Sequence, residues 1–316
     1  MKLVFCGTPA FAVPTLEALI AAGHDVALVV SQPDKPVGRS QTLTAPPVKQ
    51  TALASGIPVT QPEKIRSNTE FRTQLEGIAP EAIVVVAYGR IIPPWMLGLP
   101  RLGCINLHGS LLPKYRGAAP IQWAVAMGDA FTGNTTMLLE EGLDTGPILL
   151  QQTVTIEPRQ TAVDLFEILA RAGAPLVVET LAGLANGTVQ PQPQNHGFAT
   201  FAPLLDREDG RIDFAARTAH ELLNRWRGFQ PWPGAFTTLE GKKLIAHRMQ
   251  LAGTDIAPEE IAPPGTIRIV DKRFLVACAL ETWLELVEVQ IEGKKRMTAA
   301  EFLRGNPLPD AARLGA

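Results

Sequence analysis

Two runs, Val26-Ala27-Leu28-Val29-Val30 and Ala82-Ile83-Val84-Val85-Val86, are apolar at all five positions. A strand with one wet face would alternate apolar and polar residues, so strands of this kind must be covered on both faces. Helical patterns lie between such runs, which is the order of a parallel sheet wrapped by helices. The chain reads as α/β, a Rossmann-like, mostly parallel sheet.

The remaining elements fit that order. Residues 2–6 form a strand ending at Gly7-Thr8-Pro9, and a helical pattern runs from Phe11 to Ala22, with Pro14 tolerated in its first turn and Gly23 as its stop. Further strands are expected at 57–60, 103–108, 134–139 and 147–156, with helices at 68–77 and 119–127. A long helix spans 161–185, where Pro175 predicts a break or kink near Ala174. Residues 188–207 carry several Pro and Gln with no clear period and read as a linker. Beyond it come a helix at 215–226 and five short β-like runs between 235 and 291, the pattern of a small OB-like β-barrel. A capping box at Thr298-Ala299-Ala300-Glu301 opens a last helix. The expected organisation is a catalytic domain over 1–187, the linker 188–207, and an OB-like barrel domain over 208–316.

Composition narrows the function. With 29 basic and 31 acidic side chains, net charge is −2, and splitting after Arg207 leaves both halves near neutral, unlike a strongly basic nucleic-acid binder. The three cysteines are far apart, and no paired-histidine motif occurs, so neither a disulfide framework nor a metal site is expected. No apolar run approaches the ~18 residues of a membrane span, and the start has no signal-peptide architecture. The expected protein is cytoplasmic and monomeric, and keeps away from membranes. Gly7-Thr8-Pro9-Ala10-Phe11 lacks the glycines of a dinucleotide fingerprint, and Pro9 removes a backbone donor, which disfavours NAD.

In an open parallel sheet, ligands bind beyond the carboxyl ends of strands. The most polar such end is Gly103-Cys104-Ile105-Asn106-Leu107-His108-Gly109-Ser110, where period two puts Asn106 and His108 on one side. An amide and an imidazole there can hydrogen-bond a developing oxyanion, and histidine can also carry a proton. Taken alone, Asn-x-His is more often a pair of loop-satisfying residues. A second cluster, Glu140-Glu141-Gly142-Leu143-Asp144-Thr145-Gly146, offers Asp144 to orient an imidazole, or merely to form an Asx-turn.

Ser110-Leu111-Leu112-Pro113-Lys114-Tyr115-Arg116-Gly117, with Asn106 and His108 before it and Gly142-Leu143-Asp144-Thr145-Gly146 after it, resembles the signature of folate-dependent formyltransferases. The resemblance extends through Gln32–Arg39, Val86-Ala87-Tyr88-Gly89, Gly117–Gln122, Phe229–Pro233 and Gly293–Met297, nearly the whole chain. It implies transfer of the formyl group of 10-formyltetrahydrofolate, without a metal, to the α-amine of initiator methionyl-tRNA. By resemblance Asn106 and His108 stabilise the oxyanion and Asp144 holds His108. Tyr88, Gly89 and the run Ser110, Leu111, Leu112 and Pro113 resemble folate-contacting segments. Residues 37–44 resemble a tRNA-contacting insertion, with Lys35 and Arg39 as the expected contacts, although lysines common in bacterial relatives are replaced by Ser40, Gln41 and Thr42. The chief alternative acceptor is a nucleotide-sugar amine. A formyl-folate hydrolase, or a non-catalytic RNA-binding protein using only the barrel, are further readings.

Overall fold

The computed structural model describes residues 1–38, 41–253, 261–308 and 312–315. Its chain divides into two compact units. The first comprises Met1–Pro120, Phe131–Thr155 and Asp164–Pro203; the second comprises Ile121–Ala130, Ile156–Val163 and the chain from Leu204 onward.

The first unit is built on a seven-stranded sheet. In spatial order its strands are Ile148–Thr155, Phe131–Leu138, Cys104–His108, Ala82–Val86, Lys2–Gly7, Asp25–Val30 and Val59–Thr60. The last five are parallel to their neighbours, while Phe131–Leu138 and Ile148–Thr155 add on antiparallel. Burial on both faces explains the all-apolar runs. Ile83 and Val85 enter one core with Val4, Cys6, Phe71 and Leu75, whereas Ala82, Val84 and Val86 enter the other with Leu3, Phe5, Val177 and Leu181. Helix Thr69–Ile78 supplies Phe71 and Leu75; Asn68 caps it by accepting the Phe71 N–H at 2.9 Å, and Ala79 ends it in the left-handed region.

The topology locates the site. From Lys2–Gly7 the chain runs outward through Asp25–Val30 and Val59–Thr60, then returns to the opposite side of Lys2–Gly7 with Ala82–Val86. The crevice at such a reversal is where open α/β sheets receive ligands. Here Thr8 Oγ1 donates to the Tyr88 carbonyl at 3.1 Å, tying together the ends of the two strands that flank the reversal.

Two expectations are corrected. Helix Ala162–Asn186 is one continuous element through Pro175, with no break at Ala174. Burial of Ala174 and Val177 on either side of the proline holds it against the sheet, outweighing the lost hydrogen bond. The helix is long and apolar enough to cross a membrane by length and composition, yet it buries Leu165, Leu169, Val177 and Leu181 completely. Secondly, residues 188–203 are not a bare connector. Gln192 bridges to Ile148, Phe201–Ala202 pairs in parallel with Arg116–Gly117, and the Gln194 side chain is buried.

The second unit holds a strongly curled antiparallel sheet, in the order Phe236–Leu239, Lys242–Leu251, Trp283–Ile291, Arg273–Ala277, Ile267–Val270, with Met297–Thr298 beside Trp283–Ile291. The C-terminal segment joins its two edges: Leu314 bridges to Leu239 and Arg313 bridges to Thr266. That closure gives the OB-like barrel and leaves neither edge bare at those positions. Its core is Phe274, Leu284, Leu286, Val289, Leu244 and Phe302, the last carried by helix Ala299–Gly305 behind the Thr298–Glu301 capping box.

Candidate active site

Strand Cys104–His108 turns Ile105 and Leu107 into one core and Cys104 into the other, so Asn106 and His108 share the Cys104 side, as period two requires. The strand ends at His108, 6% exposed. The loop after it returns immediately: the His108 Nε2–H donates to the Tyr115 carbonyl at 2.9 Å. That contact fixes the tautomer, because a carbonyl can only accept, and it leaves Nδ1 as the ring position with an uncommitted lone pair.

Nδ1 faces Asp144 Oδ2 at 3.7 Å, too long for a hydrogen bond. Asp144 arrives from the loop between the antiparallel strands, its backbone in the left-handed region at φ 49°. The same Oδ2 accepts the Gly117 N–H at 2.8 Å. Gly117 is required there: at φ +123°, a Cβ would stand 2.7 Å from the Ala202 carbonyl. Asn106 is half-buried, and its side-chain amide has no hydrogen-bond partner among the described residues. The three expected catalytic side chains thus occupy one strand end and the loop facing it, with the amide unpartnered among the described residues and the carboxylate 3.7 Å from the imidazole.

The expected folate-contacting residues divide in two. Tyr88, Ser110 and Leu112 face inward. Tyr88 is 2% exposed and its carbonyl is taken by Thr8 and Gln32. Ser110 is fully buried and donates to the Lys114 carbonyl, while Leu112 N–H donates to Thr135 Oγ1 and its carbonyl accepts from Gln151. These three frame the loop rather than line its surface. Gly89 is exposed at φ +77°, Leu111 and Pro113 are half-buried, and Ile91, just after Gly89 in sequence, is 90% exposed. Ile91 carried no signal in the sequence, where it reads as ordinary apolar filling.

The segment expected to meet tRNA contains a hairpin, Lys35–Val37 against Thr42–Thr44. Lys35 is exposed; Arg39 lies outside the described residues. Lys49 is committed elsewhere, with Nζ 2.8 Å from Asp34 Oδ1 and 2.7 Å from Gln61 Oε1. Hydrogen bonds from Lys49 and Gln61 hold the Asp34 carboxyl below its usual range. Among the described residues no group of three or more His, Cys, Asp or Glu is placed to hold a metal ion.

Comparison with known proteins agrees with this architecture. Residues 1–181 match the formyl transferase family and residues 204–307 match the formyl transferase C-terminal domain. The chain belongs to the formyl transferase family. Within that family it is homologous along its whole length to methionyl-tRNA formyltransferases. That of Acidobacterium capsulatum is 66% identical over 316 residues, covering 100% of both chains, and that of Koribacter versatilis is 56% identical over 315 residues, covering 100% of this chain and 99% of its own. Among solved structures, a sugar 3N-formyl transferase crystallised with dTDP and 5-N-formyl-THF shares the fold at TM-score 0.64 and 18% identity, over 93% of this chain and 99% of its own. The N-formyltransferase of Helicobacter canadensis, in complex with folinic acid and dTDP-3-aminofucose, shares it at TM-score 0.64 and 20% identity, over 90% and 98%.

Proposed function

We infer that this enzyme transfers the formyl group of 10-formyltetrahydrofolate to the α-amine of initiator methionyl-tRNA. The observation that carries the reading is the free Asn106 amide on the same strand side as the His108–Asp144 pair, in a chain 66% identical to a methionyl-tRNA formyltransferase.

When bound, the folate supplies an activated formyl carbon. The residues present suit such a group: a pterin needs apolar surface, and Ile91, 90% exposed, offers it after the strand at the topological reversal. Asn106 donates its N–H to the formyl oxygen as negative charge develops there, an interaction stronger in the transition state than before it. The α-amine must be neutral to attack, and it loses a proton as its nitrogen bonds to the formyl carbon. His108 Nδ1 receives that proton on the side of Asp144, whose carboxylate stabilises the imidazolium while Tyr115 keeps Nε2–H in place. The same proton then goes to the departing folate nitrogen as its bond to the formyl carbon breaks, so the proton count balances without an outside acid. The 3.7 Å separation is of the kind that tightens in a catalytic complex.

Acceptor choice rests on the segment after the second strand. Lys35 and Arg39 are its cations, and Arg39 can make a forked contact with phosphate or a base edge. The test is direct: incubate the protein with 10-formyltetrahydrofolate and charged initiator tRNA, and measure formyl-methionine across a salt series for wild type and Arg39→Ala. Loss of one phosphate contact should flatten the salt slope by about one unit. Formylation of a nucleotide-sugar amine but not of methionyl-tRNA would replace the acceptor assigned here.

A further inference from the structure

Asp144 is held at two levels, and only one of them involves its carboxylate. Its backbone carbonyl accepts from Gln194 Nε2 at 2.9 Å, and the Gly146 carbonyl two residues on accepts from the same nitrogen at 2.7 Å. A primary amide nitrogen carries two hydrogens, so both are used. The other end of the amide is equally committed: Gln194 Oε1 accepts from Arg116 Nε at 3.1 Å and Nη2 at 2.6 Å. Both side chains are almost wholly buried, Gln194 at 6% and Arg116 at 4% exposure. Arg116 Nη2 also meets His196 Nδ1 at 3.0 Å.

Arg116 belongs to the segment that touches both members of the acid–imidazole pair. Tyr115, immediately before it, accepts from His108 Nε2; Gly117, immediately after it, donates to Asp144 Oδ2. One amide therefore links the segment 115–117 to the segment 144–146 by four hydrogen bonds, with donors facing acceptors at every contact. A buried guanidinium solvated by a neutral amide, with no carboxylate within 4.0 Å among the described residues, is a costly arrangement for stability alone.

We propose that Gln194, anchored by Arg116, is a positioning residue that sets Asp144 against His108. This rests on the function assigned above. Gln194 touches neither the reacting atoms nor the imidazole; it acts through the Asp144 loop, whose two glycines would otherwise let it swing. The geometry also dictates why glutamine is needed. A glutamate of the same shape would keep Arg116 but turn an oxygen toward two carbonyls, with no proton for either.

The experiment is a mutant cycle on the full-length enzyme with 10-formyltetrahydrofolate and charged tRNA, using Q194A, Q194E, D144A and D144A/Q194A. Q194A should lose about ten- to a hundredfold in kcat with both KM values within about threefold, the size expected for sub-ångström misplacement. Q194E should lose at least as much despite being isosteric, and it carries the test if Q194A folds poorly in a thermal melt. In the D144A background Q194A should cost less than about twofold, since the residue it positions is gone. Equal losses from Q194A in both backgrounds, or wild-type activity in Q194E, would overturn the proposal. Wild-type activity in D144A would overturn it too, by removing the role of Asp144 itself. Absence of methionyl-tRNA formylation in wild type, with D144A still impairing another amine acceptor, would remove only the acceptor assignment and leave the cycle to be run on that acceptor.

Discussion

Two charged clusters, one in each unit, are met in opposite ways. In the first, the Arg116 guanidinium is surrounded by neutral groups, the Gln194 amide and His196. In the second, Arg273 forms a two-pronged pair with Glu285, at 2.9 and 2.5 Å, and Gln250 adds a third hydrogen bond at 2.8 Å. The barrel pair joins neighbouring strands and is neutral overall, so it serves the fold. The first arrangement spans 78 residues of sequence and leaves its charge uncompensated beside the loop that carries Asp144. The difference is one of reach: the barrel pair ties adjacent strands, whereas the Gln194 amide ties two segments that are distant in sequence.

The largest effect that would break this comparison is on turnover. Asn106→Ala should lower kcat by about 10²–10³-fold while leaving folate affinity near wild type, because the lost donor acts on charge that develops only during reaction. His108→Ala should do the same or more. Steady-state kinetics decide it, and a mutant keeping most of its activity would remove the residue from the mechanism.

Next in size is a pair of glycine substitutions, one per unit. Gly117→Ala adds a Cβ that would meet the Ala202 carbonyl at 2.7 Å in a backbone region hostile to side chains, so about 3 kcal/mol or more of stability should go, with activity falling alongside. Gly293→Ala, at φ +76° with nothing within 4 Å, should cost only about 1 kcal/mol and leave kcat unchanged. Urea titrations of both proteins measure the contrast. Equal costs would mean the close approach of 117 to 202 is not a constraint.

Glu285→Gln should cost about 1–3 kcal/mol at pH 7, by breaking a charge-assisted pair that is shielded on the carboxylate side. Burial raises the Glu285 carboxyl, but the hydrogen bonds from Arg273 and Gln250 outweigh it and hold it below the usual range. A depressed carboxyl stabilises the fold fully above the unfolded value of about 4.3 and loses that contribution as pH falls through the folded value. The gap between wild type and E285Q should therefore narrow below about pH 4. A gap that stayed constant with pH would assign the loss to packing.

The smallest effect is chemical and reports on the units separately. Burial pushes the Cys104 and Cys278 thiols up to about 12 and raises the Cys6 thiol well above its usual range, so none should react with a thiol reagent at pH 8 in the native state. In graded urea, labelling of Cys278 marks opening of the barrel, and labelling of Cys6 and Cys104 marks opening of the sheet domain. Identical midpoints would show that the two open together.

Much of this was legible in the residues. Runs such as Ala82–Val86 have only one stable environment, buried on both faces, so the parallel sheet followed from composition at the scale of five residues. The Thr298–Glu301 box forms as its spacing requires, because capping is decided within four residues. Asn106 and His108 fell on one side because strand geometry is periodic. Local rules failed where distant packing outweighed them: the helix continues through Pro175, and the Pro-rich stretch after it docks onto the first unit.

What the chain alone could not decide is which distant residues meet. That Asp144 approaches His108 depends on Gly117, on the parallel pairing of Arg116–Gly117 with Phe201–Ala202, and on an amide from residue 194. Those contacts join residues from 27 apart (Gly117 and Asp144) to 85 apart (Arg116 and Phe201) in the sequence. A glutamine among prolines has no period and no motif, and its importance comes only from the two carbonyls and the guanidinium that the fold carries to it. Periodicity and capping are properties of neighbours in sequence and can be read there; the convergence of loops is a property of the assembled sheet domain, and only the tertiary structure fixes it.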